Sequence, residues 1–212
     1  MKMTRLVGAA ALALLLLVTL LATAPARLLN LVVPPERVVL RGLSGTVWDG
    51  SASAVLLRLP QGYFQLGEVD WSLHALSLIT LSPHLTLSSK WGKQTVAGDV
   101  ILRGPQDLDL IDLEVQLAAS LLGRFAPVAV DGFFSLQTES LLLRDGLPYS
   151  GNGRLVWQNA AWMSPRGQVP LGSYALDFQQ QEGGPVEGEI ITLSGPLQAS
   201  GSLQLDQRNY GM

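Results

Sequence analysis

Beyond residue 37 the chain alternates. In Leu197-Gln198-Ala199-Ser200-Gly201-Ser202-Leu203-Gln204-Leu205-Asp206, the odd positions are Leu, Ala or Gly and every even position is polar. Side chains of a strand point alternately to its two faces, so this spacing predicts a strand with Ala199, Gly201, Leu203 and Leu205 on a packed face. Leu85 and Leu87 repeat the pattern between Thr86 and Ser88, as do Tyr174, Leu176 and Phe178 against Ser173, Asp177 and Gln179. From Asp107 to Leu117 the phase slips. Leu108 and Leu110 are followed by Ile111, Leu113, Val115 and Leu117, with Asp109, Asp112, Glu114 and Gln116 between. The double apolar step at Leu110-Ile111 predicts a β-bulge. A helix would not hold Asp112, Glu114 and Gln116 on one side, because helical neighbours recur at three and four. Short helical turns are expected only at His74–Ile79 and Ala118–Arg124.

Turn residues punctuate the alternation. Asp49-Gly50, Asp131-Gly132 and Asp145-Gly146 can supply positive φ, and Glu182-Gly183-Gly184-Pro185 separates two late strands. Connections this short favour antiparallel neighbours. The expected architecture is all-β: one curved, strongly twisted antiparallel sheet of about ten strands, its concave apolar face partly covered by the short helical segments. An internal echo links Val47-Trp48-Asp49-Gly50-Ser51-Ala52 with Val156-Trp157-Gln158-Asn159-Ala160-Ala161. It reads either as a duplicated half or as two tryptophans plugging the rim of a sheet core. The rim reading expects Trp48 and Trp157 to lie largely buried.

The N-terminus differs from all of this. Lys2 and Arg5 precede an uncharged run from Leu6 to Ala24. As a helix it would span about 28 Å, close to the roughly 30 Å hydrocarbon core of a bilayer. Signal peptides have shorter apolar runs. Cleavage after Ala24 would place Pro25 just past the scissile bond, whereas Ala24-Pro25-Ala26 leaves a second small-residue site open. The reading adopted is an uncleaved anchor. It divides the chain into a cytoplasmic tail (1–5), a single N-terminal transmembrane helix (6–26), a Pro34-Pro35 linker (27–37) and a periplasmic β domain (38–212). The positive-inside rule supports that orientation through Lys2 and Arg5.

Composition removes whole classes of function. The 212 residues include no Cys, so there is no disulfide scaffold or thiolate metal site. Charged residues make up 15% and the net charge is -3, with no basic run, which excludes a nucleic-acid partner. Gly42-Leu43-Ser44-Gly45-Thr46 fails the nucleophile-elbow pattern at its last position, and no phosphate loop or dinucleotide fingerprint occurs. His74 and His84 stand ten residues apart, outside paired-ligand spacing; the first is expected to cap a turn and the second to open a strand. Asp107/Asp109 and Asp112/Glu114 fit a solvated strand face better than a glycosidase pair. No catalytic, cofactor-binding or metal-binding residues are assigned, and no enzyme is expected.

Several segments together resemble one family. Leu43-Ser44-Gly45-Thr46-Val47-Trp48-Asp49-Gly50-Ser51-Ala52, Val69-Asp70-Trp71-Ser72-Leu73 and Val130-Asp131-Gly132-Phe133-Phe134-Ser135-Leu136 are similar to successive elements of type II secretion system protein N. So are Gly153-Arg154-Leu155-Val156-Trp157-Gln158-Asn159-Ala160, Leu171-Gly172-Ser173-Tyr174, and Ser194-Gly195-Pro196-Leu197 with Gly201-Ser202-Leu203. The likeness runs through nearly the whole chain, and the family continues beyond a terminus like Tyr210-Gly211-Met212. It implies a non-enzymatic, single-pass inner-membrane subunit that contacts other inner-membrane subunits of an apparatus exporting folded proteins. Leu-rich sheets behind one anchor also resemble AsmA-like periplasmic proteins, which implies lipid binding or transfer as the alternative. Interleaved bulky and small residues, as in Leu197, Ala199, Gly201 and Leu203, favour the secretion reading if two sheet surfaces close together.

Overall fold

The computed structural model describes residues 2–59, 62–104, 106–124 and 128–205. A helix, α1 (Lys2–Ala22), leads through a 3-10 turn (Ala26–Leu28) and a short helix, α2 (Leu29–Val32), into the sheet. The strands are β1 (Val38–Gly45), β2 (Asp49–Leu59), β3 (Gly62–Leu73), β4 (His84–Trp91), β5 (Gln94–Leu102) and β6 (Leu108–Ala118), followed by β7 (Val130–Arg144), β8 (Leu147–Ser164), β9 (Gly167–Gln180), β10 (Val186–Ser194) and β11 (Gly201–Leu205). They form one eleven-stranded sheet in strictly sequential order, every pair antiparallel. Among the described residues β1 and β11 each have one strand partner, so the sheet is open.

The all-β expectation holds, with eleven strands rather than about ten. The helical turns fall at Ala75–Leu78 and Ala119–Arg124, His74 occupies the N-cap position of the first, and His84 opens β4. Asp145-Gly146 turns the chain with φ of 52° and 75°, and Gly183 does so at 65°.

Other local readings need correction. Asp49-Gly50 opens β2, and the chain reverses instead over Thr46–Trp48, where the Thr46 amide donates to the Asp49 carbonyl at 2.8 Å. Asp131-Gly132 lies inside β7, where Gly132 sits opposite an extra residue of β8. The bulge of β6 is centred on Asp112 (φ 48°), two residues beyond the first Leu of the expected step. Asp112 lies opposite Glu139, the extra residue of β7 against β8, so the slips of the two strands cancel. Leu108 and Leu110 therefore stay in phase with Leu113 and Val115, and Ile111 pairs with Asp99 on the other face. Of the 197–206 segment only Gly201–Leu205 is strand, and Asp206 and Tyr210–Met212 lie outside the described residues. The echoed tryptophans occupy unlike places, Trp48 before β2 and Trp157 within β8.

Ala26 and Leu29 lie against Ala52, Val55 and Trp71, the driest cluster of the molecule. The 3-10 turn over Ala75–Leu78, by contrast, covers nothing: Leu76 and Ile79 are each 79% exposed. Among the described residues no second sheet lies over this one, and no large side chain is fully buried. The accessible surface is 14613 Å², against about 9,500 Å² for a compact protein of this mass.

Two elements fasten α1 to the sheet. The Trp48 indole N–H donates to the Leu21 carbonyl at 2.7 Å, satisfying one of the acceptors that a helix C-terminus leaves open. The Val47 amide donates to the Ala24 carbonyl at 2.9 Å, and Pro25 bridges to Thr46. From Ala11 to Thr23 every residue of α1 and its end is exposed. Among the described residues no helix is long and apolar enough to cross a membrane.

Candidate interaction surface

Registry places one residue of every strand in a single file across the sheet. Leu43, Ala52, Val69, Ser89, Val96, Val115, Leu136, Leu155, Leu176, Ile190 and Gly201 face their neighbours pair by pair. Nine of these eleven are apolar with side chains. At ~4.8 Å per strand the file is about 48 Å long. Its first members lie under Ala26 and Leu29, and from there outward the stripe is open. The expected packed face of β11 is placed correctly but is not packed. Leu203 and Leu205 share the face of Gly188 and Val186, yet Leu205 is 54% exposed.

Toward β9 and β10 the stripe deepens into a groove of about 350 Å³ lined by Phe134, Leu155, Trp157, Leu171, Tyr174, Leu176, Ile190 and Leu197. Phe134 stacks on Trp157 with ring centroids 5.4 Å apart. One wall is the segment after β10. Tyr174 Oη donates to either the Leu171 carbonyl (2.8 Å) or the Leu197 carbonyl (3.1 Å), and Thr192 Oγ1 lies 2.7 Å from both the Ala199 amide and carbonyl. The wall comes close because Gly172 and Gly195, both at positive φ, meet without side chains. A Cβ on Gly195 would stand 2.3 Å from the Gly172 Cα.

The tryptophans read as rim plugs are half-buried rather than largely buried. Trp48 ties the helix to the sheet. Trp157 donates its indole N–H to the Asp131 carbonyl at 3.1 Å and turns its ring into the groove.

The other face is polar and holds the charged groups. Asp109 accepts hydrogen bonds from Arg103 and Arg144, each at 2.8 Å. Burial pushes its carboxyl up, but these bonds and the two positive charges outweigh that, and it sits below the usual carboxylate range. Arg154 grips Asp177 with two nitrogens, and that bond holds the Asp177 carboxyl low. The acidic pairs of the sequence do not face one another. Asp107 accepts from the Asp145 amide at a turn, Asp109 is held by arginines, Asp112 is on the bulge, and Glu114 pairs with Gln137. His74 and His84 do come together, their rings stacked at 4.5 Å, with Asp99 3.5 Å from His84 Nε2. Nine residues of loop separate them, and the spacing gave no sign of the contact. Among the described residues no three His, Asp or Glu side chains are grouped to hold a metal.

The model of type II secretion system (T2SS) protein N matches residues 36–211, about four-fifths of the chain. The chain belongs to the type II secretion system protein N family. It is similar to type II secretion system protein N of Vibrio cholerae serotype O1, at 31% identity over 170 residues covering 76% of this chain. It is also similar to the proteins of that name from Aeromonas hydrophila (28% over 210 residues) and Pectobacterium carotovorum (27% over 182 residues). The matched part spans 62%, 77% and 70% of those relatives. No solved structure matches.

Proposed function

We propose that this chain is a non-enzymatic inner-membrane subunit of the type II secretion apparatus, acting through contact with other inner-membrane subunits. In this reading α1 spans the membrane uncleaved, Lys2 and Arg5 remain cytoplasmic, and the sheet stands in the periplasm. The observation that carries it is the open apolar stripe, a surface too long and dry to be left to water, fastened at its first strands to the end of an apolar helix. A photo-crosslinker at Leu155, on the stripe, should capture inner-membrane components of the apparatus in cells, and one at Glu189, on the polar face, should not. Equal capture from both faces would remove the stripe from the interface. The intact mass of the purified chain tests the anchor, which a loss of the first 24 to 26 residues would refute.

A second reading rests on the single layer. Two closing sheet surfaces were the physical reason to prefer protein contact, and the sheet has only one surface of each kind. Among the described residues the lining of the Phe134–Trp157 groove is apolar and no side chain fills it, so an acyl chain fits its chemistry. Native mass spectrometry of the full chain released from detergent decides this: stoichiometric co-purified phospholipid supports a lipid site, and a lipid-free chain removes it.

A further inference from the structure

We infer that the β3–β4 loop is a second membrane contact, its aliphatic tip entering the bilayer interface beside α1; this rests on the reading of α1 as a bilayer helix. From Trp71 to Ser89 the sequence contains no Asp, Glu, Lys or Arg. Within that stretch Leu76, Ile79 and Leu81 are 79%, 79% and 85% exposed, and Leu78 is 38% exposed. An apolar tip of this kind would ordinarily fold back onto the sheet. Here the loop's own bonds hold it out. The Ser77 hydroxyl lies 2.8 Å from the His84 amide that donates to it, the Ser77 amide donates to the His74 carbonyl, and the Ser82 amide donates to the Ser77 carbonyl. Leu81 adopts φ of 55°, a conformation costly for any side chain beyond Gly. The strained residue is also the most exposed of the four.

The loop also lies at the right end of the molecule. In a sequential antiparallel sheet the β1–β2 and β3–β4 connections fall at the same end, and the β1–β2 loop is where α1 is fastened. The Leu73 amide, next to the loop, donates to the Trp48 carbonyl at 2.6 Å, and the Trp48 indole holds Leu21. Aliphatic tip and apolar helix are thus neighbours, about two strand spacings or ~10 Å apart. Behind the tip stand Arg103 and Arg144, two cations sharing the single carboxylate of Asp109, and Arg103 Nη1 reaches Ser82 Oγ at 3.4 Å. Aliphatic side chains in front and cations behind match the order of acyl chains and phosphates at a bilayer surface. The hairpin tip at the opposite end, with Trp162 and Met163 exposed, carries Arg166 at its turn and is far from the helix.

The absence of Cys in the sequence makes the test clean. Single variants Ile79→Cys, Leu15→Cys and Arg166→Cys of the full chain, each labelled with an environment-sensitive dye, are reconstituted into vesicles of phosphatidylethanolamine and phosphatidylglycerol. All three positions are exposed, so folding should survive, which circular dichroism checks. The expected result is blue-shifted emission at positions 79 and 15, quenched at 79 by lipid with a shallow doxyl and at 15, near the bilayer midplane, by lipid with a deep one, and unshifted emission at 166. Quenching at 15 but not at 79 would overturn the loop contact while leaving the helix in the bilayer, and would make the tip a protein-docking surface. No quenching at either position would overturn both readings. Quenching at 79 alone would remove the helix reading and overturn the loop as a contact made beside α1.

Discussion

Asp109 is the residue where local electrostatics matter most. It is nearly buried and held by two arginines whose side chains are 49% and 32% exposed, so screening limits the value of the pair. Replacement by Asn should cost about 1–2 kcal/mol at neutral pH. Because the folded carboxyl titrates below its unfolded value of roughly 3.9, that contribution is complete above this pH. It fades as acid titrates the folded group. Urea midpoints of wild type and Asp109→Asn should therefore differ at pH 7 and converge at the acid end; a gap that persists there would assign the effect to packing. Apolar positions divide just as sharply. Val55→Asp should cost several kcal/mol, because it puts a carboxylate into the dry cluster under Ala26. Leu203→Asp should cost about 1 kcal/mol, because water already reaches that end of the stripe. Alternation in the sequence placed Leu203 on the correct face. It could not report that Leu203 stays half-exposed there, since periodicity encodes direction and not what lies beyond.

At the scale of elements, the joint between α1 and the sheet is made by a few hydrogen bonds and two small buried contacts. Trp48→Phe keeps the ring and removes the donor to Leu21. The thermal midpoint should move by only a few degrees, while trypsin should cut faster at Arg27, just past the joint; an unchanged cleavage rate would show that Ala26 and Leu29 hold the joint alone. Trp48 was visible in the sequence, but its role was not, because its partner lies 27 residues earlier in a different kind of structure. The same reason hid the stacking of His74 on His84 and the bond from Arg144 to Asp109, which joins residues 35 apart. Strand phase, helical turns and the Asp145-Gly146 reversal were legible because each depends on residues within a few positions. Bulges were half legible: the slip in β6 was announced, but its position followed from the compensating residue in β7.

For the whole molecule, β4 to β11 lean chiefly on the strands before and after them in sequence, whereas β1 to β3 also carry Ala26 and Leu29. Stability should then fall from the middle outward, as in other quasi-linear assemblies. The longest strands lie inside the sheet, with 15, 18 and 14 residues in β7, β8 and β9, and the edge strand β11 has five. Amide hydrogen exchange of the full chain in detergent should be slowest in β7–β9 and fastest in β11. Uniform protection would mean that the sheet opens as one unit.

Sequential order has a temporal side as well. A polypeptide is made from its N-terminus, and domains begin to fold as they emerge. In this chain no strand has to wait for a partner made much later. β2 finds β1 already present, β3 finds β2, and so on to β11, so that each newly emerged hairpin extends a template instead of searching for one. Growth of the sheet can keep pace with delivery of the chain, and each added strand makes backward slippage harder. Fold topology here doubles as a one-way pawl on the emerging polypeptide.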